Sequence, residues 1–214
     1  MNVGDEPRVT QWTETTYSEV LRILCATARQ SPIALVGVDG RSGSGKSTFA
    51  ANLAATAPGI AVVHTDDIAW HHSFFDWQEL LVDGILSPAR RHGPPVSYRP
   101  PAWELRGREG CIEVPPDTSV LVVEGVGACR ERLHPWFDAT VWVQSDPDLA
   151  YRRVVARGED PVEFVDDWTA QEKPFLAHDR SWARAALVVS GQSAWLADGR
   201  VLTAEPARSS SERR

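Results

Sequence analysis

Lysine is nearly absent from this chain of 214 residues: among 22 basic side chains, only Lys46 and Lys173 are not arginine. Against that background each lysine is a candidate for a specific task. Cysteine is scarce as well. Cys25, Cys111 and Cys129 are odd in number and show no CxxC spacing, which argues against a disulfide framework or a zinc site and fits a reduced cytoplasm. Long apolar runs are missing. No stretch approaches the roughly 20 residues of a membrane span, and residues 1–8 are too polar to act as a signal peptide. A basic excess is missing too: the net charge is −7 and the pI about 5.4. That balance argues against a nucleic-acid surface. It leaves room for a small anionic ligand held by local positive charge. Neither a nucleic acid nor a membrane is expected as partner, and a homo-oligomer is compatible with the sequence.

What is present suits one α/β domain. Apolar residues make up 43% of the chain, enough for a sizeable core. Tyr17, Val20, Leu21 and Leu24 recur at helical spacing, so residues 16–29 are predicted to be an amphipathic helix. Short continuous apolar runs at 33–38, 60–63, 120–123, 139–143 and 186–189 read as strands buried on both faces. Helical segments are expected at 46–55, 147–157 and 162–178. Strands alternating with helices imply a parallel sheet whose ligands bind beyond the carboxyl ends of the strands. Residues 194–196 and 200–203 flank Asp198-Gly199, a hairpin signal. The segment 71–116 is rich in Trp, Pro, Arg and Gly, and only 77–86 reads as a helix within it. Pro94, Pro95, Pro100 and Pro101 are expected to break regular structure around 96–99. The tail 207–214 is expected to be disordered.

The most specific motif is Gly40-Arg41-Ser42-Gly43-Ser44-Gly45-Lys46-Ser47, which meets G-x-x-x-x-G-K-[ST] at every fixed position, with a strand before it and a helix after. Its glycines allow the backbone to curl so that several N–H groups face one anion, and the helix terminus adds partial positive charge. Lys46 is placed for the β- and γ-phosphates of ATP, Ser47 for Mg²⁺, and Thr48 for the α-phosphate. The N-K-x-D of a guanine site is absent, and a large ATPase would need more chain.

Two acidic sites complete the pattern. His64-Thr65-Asp66-Asp67 follows the second buried strand, whose end is expected beside the phosphate loop. A carboxylate there can take a proton from an acceptor hydroxyl, and spacing alone leaves the choice between Asp66 and Asp67 open. Glu124 ends the third buried strand, where a carboxylate holds Mg²⁺ directly or through water. Arg153 and Arg157 are four apart on a predicted helix and could clamp a transferring phosphate. Trp70, Trp77 and Trp103 lie in the irregular segment, where an aromatic could cover a base or sugar. His71 and His72 are adjacent and so point apart, which is unsuitable for a shared metal. Lys173 is read as a helix-surface lysine.

The order GxxxxGKS, then T-D-D, then an apolar strand ending in E-G resembles the uridine kinase family, to which phosphoribulokinase and bacterial pantothenate kinase are similar. The resemblance runs from about residue 33 to 191. It implies a P-loop NTPase fold: a five-stranded parallel sheet flanked by helices, a single domain over 1–206, an acceptor-binding insertion at about 70–116, a lid at about 152–165 and a C-terminal hairpin. Phe75-Asp76-Trp77 is similar to a segment whose Asp binds sugar hydroxyls. Pro101-Ala102-Trp103-Glu104-Leu105 is similar to P-x-Y-D-F, with Trp103 at the aromatic that packs on the base. Arg106 and Arg108 fall near the basic residues that follow. Asp146-Pro147-Asp148 with Arg152-Arg153-Val154 resembles the lid helix, and Lys173-Pro174 with Phe175 the later K-P-x-F. Asp67-Ile68-Ala69-Trp70 departs from the family's aromatic run, and the lid is shorter. The implied activity is ATP- and Mg²⁺-dependent phosphorylation of a small-molecule hydroxyl, in the cytoplasm, with a nucleoside such as uridine or cytidine as acceptor. Asp66, Trp70, Asp76, Trp103, Arg106 and Arg108 would bind that acceptor. A sugar, cofactor precursor, antibiotic or nucleoside monophosphate is the alternative acceptor, and a non-catalytic ATP switch the alternative class.

Overall fold

The structure, a computed structural model, describes residues 6, 9–29, 31–192 and 199–206. Its elements begin with β1 (Thr13–Thr16), α1 (Tyr17–Cys25), β2 (Ala34–Asp39), α2 (Lys46–Ala54), β3 (Ile60–His64) and α3 (Thr65–Ala69). A helical stretch follows: α4 (Gln78–Leu81), a π-helical turn (Val82–Leu86) and α5 (Ser87–His92). Then come β4 (Val96–Tyr98), α6 (Pro101–Leu105), β5 (Ile112–Val114), β6 (Val120–Glu124) and β7 (Ala139–Gln144). The last elements are α7 (Pro147–Arg157), α8 (Val162–Asp179), β8 (Leu187–Ser190) and β9 (Arg200–Ala204).

Among the described residues the main sheet runs β1-β9-β8-β7-β2-β6-β3. The five predicted buried strands are β2, β3, β6, β7 and β8, and they pair in parallel. Their apolar runs suit this position, because alternate residues reach opposite faces of the sheet. Val36, Val38, Val122 and Val141 pack with α1 and α2. Leu35, Leu121 and Val123 pack on the other face with Leu81, Ile85 and Leu86 of the helical stretch. Trp142 and Val188 lie under Leu176 of α8.

The strand order corrects one expectation. β6 lies between β2 and β3, so Glu124 rather than the end of β3 is the direct neighbour of the phosphate-loop strand. The hairpin expectation changes as well. β9, its predicted second arm, joins the main sheet antiparallel to β8, and β1 adds beyond it. β1 reads Thr-Glu-Thr-Thr and carries no apolar alternation, so periodicity gives no sign of it. The first arm at 194–196 and the tail at 207–214 lie outside the described residues. No described helix is long and apolar enough to cross a membrane.

The proline-rich middle is more regular than expected. Its prolines bound a two-stranded antiparallel ribbon of β4 and β5 rather than preventing one. The helix predicted at 77–86 continues to His92 through Pro88. A π-turn, in which the Ser87 N–H bonds to the Val82 carbonyl, lies immediately before that proline, which has no N–H to give. Gly84 in this turn lies against the Tyr98 ring of the ribbon, and a Cβ there would come within 2.5 Å of it. Gly84→Val is therefore expected to destabilise the fold by roughly 1–3 kcal/mol. Urea denaturation measures this; an unchanged midpoint would contradict the packing described.

Candidate functional site

Asp39 ends β2 and is fully enclosed. Its carboxylate accepts from the N–H groups of Gly40 (2.7 Å), Gly127 (2.8 Å) and Cys129 (3.0 Å). These bonds tie the start of the phosphate loop to the loop that follows β6. The loop then curls over α7. Gly43 has φ +72°, and a Cβ on it would meet the Ala150 carbonyl at 2.2 Å, so glycine is required there twice over. α2 opens at Lys46 with no side-chain cap. Its first N–H groups therefore remain available for an anion. Lys46 is buried, and its Nζ donates to the Arg41 carbonyl at 3.1 Å.

Ser42, Gly43, Gly45, Lys46 and Ser47 form one wall of a cavity of about 580 Å³. Gly40 and Ser44 form the buried underside of the loop, and Thr48 is exposed one residue further along α2. Glu124 enters the cavity from β6. Its burial works against ionisation, but the hydrogen bond with His64 Nδ1 (2.5 Å), the charge of Lys46 and a bond from Ser47 together hold its pKa below the usual range. The same bond to Glu124 raises the His64 pKa against partial burial. Ser47 and an ionised Glu124 are hard oxygen donors side by side, a set that fits Mg²⁺ shared with phosphates. Among the described residues no cluster of three or more His, Cys, Asp or Glu forms a metal cage.

Asp66, in the first turn of α3, also lines the cavity. Burial raises its pKa, as do the charges of Glu124 and Asp67, against the opposing pull of Lys46. Asp67 has a different use. It pairs with Arg108 at 2.6 Å, and its carbonyl accepts from the Trp103 indole at 2.9 Å. The geometry thus separates two carboxylates that their spacing leaves equivalent.

Several expected site residues lie elsewhere. Trp70 and Arg157 line the cavity; Asp76, Trp103, Arg106, Arg108 and Arg153 do not. Asp76 is exposed, and its N–H donates to Ser73 Oγ at 3.1 Å. Trp103 is buried in the core, and Arg108 stacks on it at 3.5 Å from the ring centroid. Arg106 is exposed. Arg153 donates to the carbonyls of Gly191 (3.1 Å) and Gly43 (3.4 Å), bracing the loop from outside the cavity and not forming a clamp with Arg157. Lys173 is exposed beside a smaller hollow between α7, α8 and the loop.

Other residues went unmarked in the sequence. Glu172 of α8 is buried and accepts from the Ser42 N–H at 2.5 Å, which ties α8 to the phosphate loop; burial raises its pKa. His64 orients Glu124. Phe74, Phe164 and Trp168 line the cavity, and so do His71 and His72, considered above only as a metal pair. The spacing of Phe164 and Trp168, four apart on a helix, was the available signal for that pair.

No protein-family model matches the chain. A crystal structure assigned as a fructose transport system kinase from Silicibacter sp. TM1040 superposes with a TM-score of 0.52 at 19% identity. The match covers 80% of this chain and 96% of that one. The YGR205w protein superposes at 0.50 with 10% identity, over 81% and 89% of the two chains. In sequence, the chain is 28% identical over 154 residues to the inorganic pyrophosphatase TTM2 of Arabidopsis thaliana. That match takes in 62% of this chain, and the chain spans 22% of the length of that relative. The class that the fold defines is an α/β P-loop fold, with the glycine-rich loop after β2, the middle of the five parallel strands.

Replacing Asp39 by Ala would leave three buried N–H groups without an acceptor. We expect a loss of roughly 3 kcal/mol or more in unfolding free energy, with weaker binding of ATP because the loop loses its anchor. Denaturant titration and nucleotide calorimetry read the two effects; a stable variant with intact affinity would show that Asp39 is no anchor.

Proposed function

We propose that this protein transfers the γ-phosphate of ATP to a hydroxyl group of a small molecule. The observation that carries the reading is the meeting of Lys46, Ser47, Glu124 and Asp66 on one cavity, with the phosphate loop on one side and an organic, ring-lined space on the other. The likeness to other proteins supports the fold alone.

The chemistry follows from these positions. The loop N–H groups and Lys46 bind the β- and γ-phosphates. Ser47 and Glu124 would hold Mg²⁺, which when bound would supply positive charge against the phosphate oxygens. Asp66 accepts the proton of the acceptor hydroxyl as its oxygen attacks the γ-phosphorus. The bond from that phosphorus to the β–γ bridging oxygen breaks, and ADP leaves with the electron pair. Arg157, at the lid side of the cavity, stabilises negative charge on the transferring group. A nucleoside such as uridine or cytidine is the acceptor that the sequence resemblance implies. Pyrophosphate hydrolysis, named for the Arabidopsis relative, needs only water as acceptor, and the ring-lined half of the cavity suits an organic acceptor better. A non-catalytic switch would have no use for a base at Asp66.

Lys46→Ala is expected to lower turnover by about 10²-fold or more while the melting temperature stays near wild type. ADP release in the presence of hydroxyl compounds measures it. Unchanged turnover sinks the kinase reading, and hydrolysis of ATP that no compound stimulates favours the switch.

Asp66→Asn should cost about 10²–10⁴ in kcat, with ATP affinity little changed, whereas Asp67→Asn should be mild. The base must be ionised and its pKa is raised. Activity is therefore present at neutral pH and falls as pH drops through a value above the ordinary carboxylate range. A kcat–pH profile with its acid limb at or below that range would remove Asp66 from this role.

A further inference from the structure

Arg41 is the first variable residue of the phosphate loop, and a cation there could face either the phosphates or the scaffold. The structure turns it to the scaffold. Its side chain is buried and takes no part in the walls of the large cavity. The guanidinium pairs with the Glu6 carboxylate, also buried, in the stretch before β1. Glu6 in turn accepts from the Trp142 indole N–H at 2.9 Å and from Gln144 Nε2 at 3.3 Å, both on β7. The Val9 N–H donates to Gln144 Oε1 at 3.2 Å, and Val9 and Trp12 pack on the cluster that contains Trp142. A segment outside the sheet thus ties the phosphate loop to β7. Three donors converge on the two oxygens of Glu6. An ionised carboxylate accepts from all of them, whereas an amide has one acceptor oxygen and would turn its own N–H groups on the remaining donors.

The backbone of Arg41 is a hub of the loop as well. Its carbonyl accepts from the Ser44 N–H at 3.0 Å and from Lys46 Nζ at 3.1 Å. Where the Arg41 side chain is held therefore bears on the curl of the loop and on the resting place of Lys46. Arg41 also acts on the next residue. Glu172 accepts from the Ser42 N–H; burial raises the Glu172 pKa, and the Arg41 charge opposes that rise. One buried cation thus serves two glutamates from opposite parts of the chain.

We propose that Glu6 is a positioning residue of the nucleotide site: through Arg41 it holds the phosphate loop in its anion-binding curl, so that the stretch before β1 sets the affinity for ATP. This rests on the nucleotide half of the kinase reading and is independent of the acceptor. Binding is weakened in proportion to the fraction of time the loop spends outside the competent shape. A pair of apolar side chains would fill the same space without fixing a direction, because the hydrophobic effect is non-directional.

The test separates positioning from stability. Calorimetric affinity for a non-hydrolysable ATP analogue with Mg²⁺, and the melting temperature without it, are measured for wild type, Glu6→Gln and the double variant Glu6→Met/Arg41→Met. Glu6→Gln leaves a buried cation poorly paired and should lower the melting temperature by about 5 °C or more, with affinity down about tenfold. The double variant removes both charges and should regain most of the melting temperature, while its affinity stays about fivefold or more below wild type. If Glu6→Gln does not fold, the double variant carries the test. Affinity within about twofold of wild type in the double variant overturns the proposal, because the pair is then structural only; so does unchanged affinity in a folded Glu6→Gln. Wild type that does not bind the analogue overturns both the proposal and the kinase reading. Wild type that binds it, with the expected losses in the variants, yet transfers phosphate to no hydroxyl compound overturns the kinase reading alone.

Discussion

Everything at this site depends on one buried carboxylate. Asp39 draws three backbone N–H groups from two separate loops onto one point at the end of the central strand. A phosphate loop must hold a curled backbone whose N–H groups face a ligand and so cannot satisfy one another. Such a loop needs a fixed base. Asp39 gives it one and places the Gly125–Cys129 turn beside it. Arg153 and Glu172 brace the other side, from α7 and α8, through the Gly43 carbonyl and the Ser42 N–H. The loop is gripped from both sides of the sheet's upper edge before any ligand arrives.

Around that frame, environment divides labour among similar side chains. Glu124 and Asp66 are both carboxylates near Lys46, yet their ionisation shifts in opposite directions. Glu124 receives hydrogen bonds from His64 and Ser47 that favour its charged form, which suits a ligand for a divalent cation. Asp66 is buried beside other negative charges, which favours proton uptake and suits a base. His64 matters here as an orienter: it occupies one oxygen of Glu124. The opposed pull of burial and partners, rather than residue type, shifts the two carboxylates in opposite directions.

The arginines follow a similar logic. In a chain with so few lysines, guanidinium groups are the natural pocket cations, but most of those near the cavity serve the scaffold. Their forked donors suit carbonyl pairs and aromatic faces, and Arg108, Arg130 and Arg153 are used in that way. Beyond the phosphate loop the cavity is lined mainly by rings and acids, with Arg157, His71 and His72 among them.

Much of this was legible in the sequence. The five buried strands, the phosphate loop, Lys46, Ser47, Glu124 and the placing of an acidic residue after β3 all follow from local pattern, because each depends on a run of neighbours with fixed chemistry. The β1–β9 extension was not legible, since Thr13–Thr16 acquires its strand character only by pairing with Arg200–Ala204 across the chain. The π-turn before Pro88 and the β4–β5 ribbon depend likewise on packing that no short window contains. In the site, Asp66 and Asp67 differ by about 100° of rotation on a five-residue helix, and Trp103 and Trp70 by how deeply each enters the core. Those choices are set by which side chains meet in three dimensions. The sequence by itself determined that a phosphate-binding loop would sit at the end of a buried strand, because a backbone nest is a local property of glycine, lysine and serine at that spacing. Which carboxylate enters the cavity, which arginines brace the scaffold, and that α8 lines part of the cavity were decided only by the tertiary structure, because burial and charge contacts exist only between segments far apart in the chain.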